Sequence, residues 1–190
     1  MSEHLPRAVV LVEGLSDRAA LETLAERRGW DLAARDVSIV PMGGAQALAR
    51  YLELLGPRGP HVRVSGLCDA HEERDFRRAL ERTGLGSGLT RAEMEQRGFY
   101  VCVADLEDEL IRALGTAVVE EIIDAQGELG AFRTFQRQPA QRPRSVEAQL
   151  RRFMGTRSGR KIHYARVLVA ALEIGRVPRP LDRVLSYVWD

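Results

Sequence analysis

Lysine is all but absent from this chain. Its 190 residues include 27 arginines and one lysine, Lys161, which on this fact alone is as readily a chance survivor as the mark of a site where a compact ammonium is needed and a planar guanidinium will not serve. Cysteine is nearly as scarce: Cys68 and Cys102 both fall inside predicted strands. That placement excludes a disulfide framework or a cysteine metal cage and reads as two small buried residues in a reducing cytoplasm. No run approaches the roughly 20 apolar residues of a membrane helix. The first residues lack the charged segment and apolar core of a secretion signal. No Gly-x-x-x-x-Gly-Lys-Ser/Thr loop occurs either, which excludes ATP hydrolysis by that route.

What is present is unevenly spread. Residues 1–132 hold 23 acids against 15 arginines, whereas residues 133–166 hold nine arginines and Lys161 against Glu147 alone. An acidic body that should attract cations is thus joined to a basic segment that should attract an anionic partner. The length suits one domain with a full core, here 5–128, and an appended basic helical part, 129–190, packed on it.

The first strong signal is Val9-Val10-Leu11-Val12, a continuous apolar run of the kind buried on both faces of a parallel sheet. Gly14 permits a sharp turn, Ser16 or Asp17 can cap a helix, and apolar residues at 20, 21, 24 and 25 carry that helix to about Arg28. Glu13 is thereby fixed at the carboxyl end of a core strand, with Asp17 one helical turn later. Taken alone, the two are a turn and a cap as readily as a cation site.

The same alternation continues. A second strand is predicted at Val37–Val40, followed by a Gly43-Gly44 turn and a helix from Ala45 to Leu55. Gly56–Pro60 reads as a loop, Val62–Cys68 as a third strand ending at Asp69, and Glu72–Arg82 as helical. Thr90 and Glu93 form a capping box for a short helix, and Phe99–Val103 is a fourth strand ending at Asp105 and Glu107. Beyond it, Gly130–Arg144, with Pro139 and Pro143, reads as irregular. Helices follow at Val146–Met154, capped by Ser145, at Tyr164–Glu173 and at Leu181–Val188.

Three of the four strands therefore deliver acids at their carboxyl ends. In a parallel α/β sheet with right-handed crossovers those ends share one edge, so residues distant in sequence converge there. Hard carboxylate oxygens together suit magnesium or manganese.

These residues resemble a known module. Val-Glu-Gly-Leu-Ser-Asp on the first strand, Gly43-Gly44 after the second, Gly-Leu-Cys-Asp ending the third and Asp-Leu-Glu ending the fourth look like a TOPRIM domain. With the later lysine, the chain is most similar to the TOPRIM half of overcoming-lysogenization-defect (OLD) family nucleases, over roughly residues 7–115. The resemblance implies a four-stranded parallel, Rossmann-like sheet flanked by helices. Residue by residue it implies metal binding by Glu13, Asp17, Asp69 and Glu107, with Asp105 close by, and catalysis by Glu13 and Lys161. One departure stands out. Many TOPRIM domains read Asp-x-Asp after the third strand, but here the order is Asp69-Ala70-His71-Glu72, which moves the second acid to Glu72 or loses it. His71 is expected to be an exposed turn residue.

The activity so implied is magnesium- or manganese-dependent endonucleolytic hydrolysis of DNA, with one or two ions. Lys161 would neutralise charge on the phosphate. Arg133, Arg137, Arg142, Arg144, Arg151, Arg152, Arg157 and Arg160 would grip the backbone without reading bases. The partners implied are DNA, alternatively RNA, a separate ATPase subunit and a second copy of the chain, with no membrane. Because the strand bearing Glu13 begins near residue 1, the chain is expected to lack the ATPase part that such nucleases carry. Two alternatives remain open: an RNA-processing TOPRIM enzyme, and a nucleic-acid-binding subunit whose site is no longer competent.

Overall fold

A computed structural model describes residues 5–55, 62–157 and 159–190. The loop expected over Gly56–Pro60 lies outside the described residues. Four strands, β1 (Ala8–Val12), β2 (Val37–Pro41), β3 (Arg63–Cys68) and β4 (Phe99–Val101), form one parallel sheet in the order β2-β1-β3-β4. All five residues of β1 are buried. Ala8, Val10 and Val12 enter one core cluster and Val9 and Leu11 the other, so the pleat of this strand divides the interior into two layers.

On the first face lie α1 (Leu15–Arg27), α9 (Arg160–Ala171) and α10 (Arg179–Trp189); on the second lie α2 (Leu48–Leu55) and α3 (Glu73–Arg82). The short α4 (Arg91–Gln96) leads into β4, and its capping box is present: Thr90 Oγ1 accepts from Glu93 N–H at 3.3 Å and Glu93 Oε2 from Thr90 N–H at 2.8 Å. The first-face cluster runs without a break from Leu21 and Leu24 to Leu168, Val169, Leu181 and Val184. Residues late in the chain thus cover strands laid down at its start, and Ser65 Oγ on β3 donates to Val184 O at 3.2 Å.

Close approach sets one backbone position. A Cβ on Gly66 would stand 2.8 Å from Phe99 Cδ1 and 3.2 Å from Phe76 Cε1, so β3 passes β4's aromatic ring only because that position has no side chain.

Several expectations require correction. β4 stops at Val101, not Val103, because Val103 is 62% exposed and its N–H donates to Glu109 Oε1 at 2.7 Å in place of a ladder bond. Two helices absent from the sequence reading follow β4, α5 (Leu106–Leu114) and α6 (Thr116–Ala125). The stretch read as irregular opens with α7 (Leu129–Gln136), whose Phe132 and Phe135 lie three apart on one face and pack on Phe153. Only after it do the prolines end helical structure. α8 (Val146–Met154) starts where expected, with Ser145 Oγ accepting from Ala148 N–H at 3.3 Å.

Candidate active site

In the strand order β2-β1-β3-β4 the chain reverses its winding between β1 and β3, since the connection leaving β1 crosses one face and the one leaving β2 the other. A crevice opens outside the carboxyl ends of the strands at such a point. Here it measures about 150 Å³ and is lined by Glu13 and Asp17 after β1, the Gly43-Gly44 turn after β2, Asp69 after β3, Glu107 after β4, and Lys161 from α9.

Each side chain is set by its local fold. Gly43 N–H donates to Glu13 O at 3.0 Å, which ties the β2 turn to the end of β1. Gly43 and Gly44 have φ of 79° and 129°, where a side chain would be strained, so the turn presents bare backbone to the crevice. Gly14 precedes α1, and Asp17 Oδ2 reaches back to accept its N–H at 2.9 Å. Helix α1 therefore starts at Leu15, and Asp17 stands in its first turn instead of at the cap. Asp105 caps α5, accepting from Asp108 N–H at 2.9 Å, and this leaves Glu107 in the first turn, at the end of a helix that favours an acid.

Lys161 is not ahead of α9, as the sequence suggested, but in its first turn, and Nζ stands 3.1 Å from Glu107 Oε2. Burial works to lower the Lys161 ammonium, but Glu107, Asp105 and Asp69 outweigh it and hold it above the usual lysine range.

The acids crowd one another. Burial pushes the Asp17 carboxyl up to about 6 against the pull of Gly14 N–H, with Glu107 and Glu13 adding to the rise. Asp69 is pushed up to about 7 by burial and then by Asp17 and Asp105. Burial, together with the hydrogen bond and charge of Glu13, raises Glu72 to about 8. Glu107 is raised by burial despite Lys161. Burial is the largest cause in each case, and the charges of neighbouring acids add to it at Asp17, Asp69 and Glu72.

Two of the named acids lie apart from the crevice lining. Glu72 sits beside Glu13, toward Ala45 N–H. Asp105 Oδ2 accepts from Arg151 Nε at 2.5 Å in a second hollow, of about 310 Å³, lined by Asp105, Glu107, Arg144, Arg151, Arg152 and Lys161. Glu107 and Lys161 line both hollows, so the acidic crevice continues into an arginine shelf.

Among the described residues, no group of three or more histidine, cysteine or acidic side chains is arranged to hold a metal ion as placed. The donor set nevertheless fits a divalent cation. Its oxygens are hard, Glu107 Oε1 and Glu72 Oε2 are buried without a hydrogen-bond partner, and the carboxyls are raised as carboxyls deprived of a counter-ion are.

Of the eight arginines expected on nucleic acid, 133, 137, 142, 144, 151, 152 and 157 are exposed. Arg160 is corrected: it is buried, and its NH2 donates to Glu128 Oε1 at 2.7 Å, so it cannot reach a ligand's phosphate. Arg133 is paired with Glu120. His71 is exposed, and Cys68 and Cys102 are buried with thiols pushed far up by burial. No local pattern in the sequence marked the pairing of Arg151 with Asp105 or of Arg160 with Glu128, because the partners are 46 and 32 residues apart.

Residues 6–70 match the sequence model of the overcoming lysogenization defect protein-like TOPRIM domain. The C-terminal region of the Burkholderia pseudomallei OLD protein superposes with a TM-score of 0.75 at 18% identity, over 97% of this chain and 98% of that one. The C-terminal region of the Xanthomonas campestris pv. campestris OLD protein gives a TM-score of 0.73 at 24% identity, over 96% and 94%. No curated protein sequence matches. The resemblance to the TOPRIM half of OLD proteins thus rests on sequence for residues 6–70 and on fold for nearly the whole chain. No helix among the described residues is long and apolar enough to cross a membrane.

Proposed function

We propose that this chain, with its OLD-like TOPRIM domain, is a divalent-metal-dependent endonuclease that hydrolyses phosphodiester bonds of DNA in the cytoplasm. In this reading residues 5–128 carry the acids and residues 129–190 supply the cations, and the two work as one unit. The observation that carries the proposal is the meeting of the acidic crevice with the arginine shelf at Glu107 and Lys161. A phosphodiester lying across that junction would meet a cation-seeking site and a phosphate-seeking site together.

Glu13, Asp17, Asp69 and Glu107 would hold a magnesium or manganese ion, with Glu72 beside Glu13 and Asp105 beside the shelf available to a second. Such an ion, when bound, supplies polarisation of the scissile phosphate and activation of water. Lys161 Nζ, a point charge with three donors, binds the same phosphate and offsets charge on its leaving oxygen. Arg144, Arg151 and Arg152 hold neighbouring phosphates, and Arg137, Arg142 and Arg157 extend the track. Contacts of this kind fix register and carry no base preference.

A separate ATPase subunit is the partner that the resemblance to OLD proteins supports. The open placement of the acids favours one other reading, a binding subunit without cleavage. Supercoiled plasmid, linear DNA and RNA, each incubated with magnesium, manganese or EDTA, separate the two. Metal-dependent nicking of plasmid supports the nuclease. Salt-sensitive binding with no cleavage under any metal overturns it.

A further inference from the structure

Helix α9 starts without the usual support. Gly159 precedes it at a φ of 78° and has no side chain to cap the first turn. A lysine in that turn stands at the helix end where the dipole disfavours a cation, and its long side chain loses rotamer freedom when it is held in one place. Local preference therefore does not explain why Lys161 Nζ faces Glu107.

Glu128 does. Its Oε1 accepts from Arg160 NH2 at 2.7 Å and its Oε2 from the Tyr164 hydroxyl at 2.8 Å, so one carboxylate grips α9 both just before and just after Lys161. Arg160 is further fixed, with NH1 donating to Phe153 O at 3.2 Å and to Thr156 Oγ1 and its guanidinium 4.2 Å over the Phe153 ring. Tyr164 is fully buried. Glu128 itself is rigid at the corner between α6 and α7, its N–H donating to Ile123 O at 3.0 Å and its carbonyl accepting from Phe132 N–H at 2.9 Å.

We propose that Glu128 is a positioning residue for Lys161: by holding Arg160 and Tyr164 it fixes the first turn of α9 so that the single lysine faces Glu107 across the crevice. The hydrogen bonds from Arg160 and Tyr164 outweigh burial and keep Glu128 below the usual carboxyl range, as a working ionic anchor requires. This inference rests on Lys161 being the cation of the proposed active site, but its test needs no cleavage.

Because the chain has one lysine, protein carrying isotope-labelled lysine gives one lysine side-chain Cε–Hε correlation by NMR. Loss of that signal in Lys161→Arg assigns it. In the native protein it is displaced from the position of a free lysine, and in Glu107→Gln it moves to that position. Glu128→Gln is expected to produce the same move while backbone amide signals of β1 and β3 stay in place. Tyr164→Phe, which removes one of the two grips and keeps the ring, is expected to produce a smaller move in the same direction. It decides the matter if Glu128→Gln does not fold. A lysine signal unchanged in the folded variants overturns the proposal. Failure of the nuclease reading would appear in the plasmid assay and leave this signal as it is.

Discussion

Replacing Asp69 with asparagine should stabilise the metal-free protein, with a gain that grows between about pH 4 and pH 7 and is complete above that window. The Asp69 side chain makes no cap hydrogen bond to the turn that follows it, so Asp69→Asn removes charge with little else. Its carboxyl rises from 3.8 to about 7 on folding, first through burial and then through Asp17 and Asp105. A rise of about three units corresponds to about 4 kcal/mol, and partial exposure of the group screens this to about 2 kcal/mol. Because the folded pKa lies above the unfolded one, the folded state binds the proton more tightly. The carboxyl's stabilising share is complete below about pH 4 and is lost as pH rises through about 7. Urea unfolding in EDTA should therefore give equal stabilities near pH 4 and a variant about 2 kcal/mol more stable near pH 8. Magnesium should reverse that order near pH 8, since only the native set of acids gains fully from the ion. A variant equal to or weaker than the native protein near pH 8 in EDTA, or a difference that does not change with pH, would refute the crowded-carboxylate argument.

Three further outcomes are expected. Arg152→Ala should weaken DNA binding equally across sequences and lower the slope of log affinity against log salt by about 0.9, as measured by fluorescence anisotropy; an unchanged slope would remove Arg152 from the track. Gly66→Ala should cost about 1–3 kcal/mol of stability, because its methyl would meet Phe99 at 2.8 Å, and calorimetry showing no loss would contradict that packing. Phe132→Ala should cost about 3–5 kcal/mol, because Phe132 is fully buried against Phe153, whereas a solvated 129–136 segment would lose almost nothing.

β1 was legible because all five of its residues are buried and an acid follows at once, so the end of a continuous apolar run and a carboxylate mark the same place; β3 is buried only from Ser65 to Cys68, but it too is followed directly by an acid, Asp69. The convergence of Glu13, Asp17, Asp69 and Glu107 followed from parallel topology alone. Features set by distant partners were not legible. Pro139 and Pro143 suggested irregular chain, while Phe132 and Phe135 needed Phe153 to show them as a buried face. Arg160 looked like one more cation in a basic run because Glu128, which buries it, lies 32 residues away. Lys161 stood out in the sequence by its rarity, but its helical setting was missed because Gly159 starts α9 from a left-handed backbone and not from a capping side chain.

The most direct test of the central claim is plasmid nicking by the native protein, Glu13→Ala and Lys161→Ala in magnesium, manganese and EDTA. The account predicts metal-dependent nicking by the native protein and none by either variant, with both variants still bound to DNA through the arginine shelf. Nicking that survives in either variant, or that proceeds in EDTA, would contradict the assignment of the crevice as the active site.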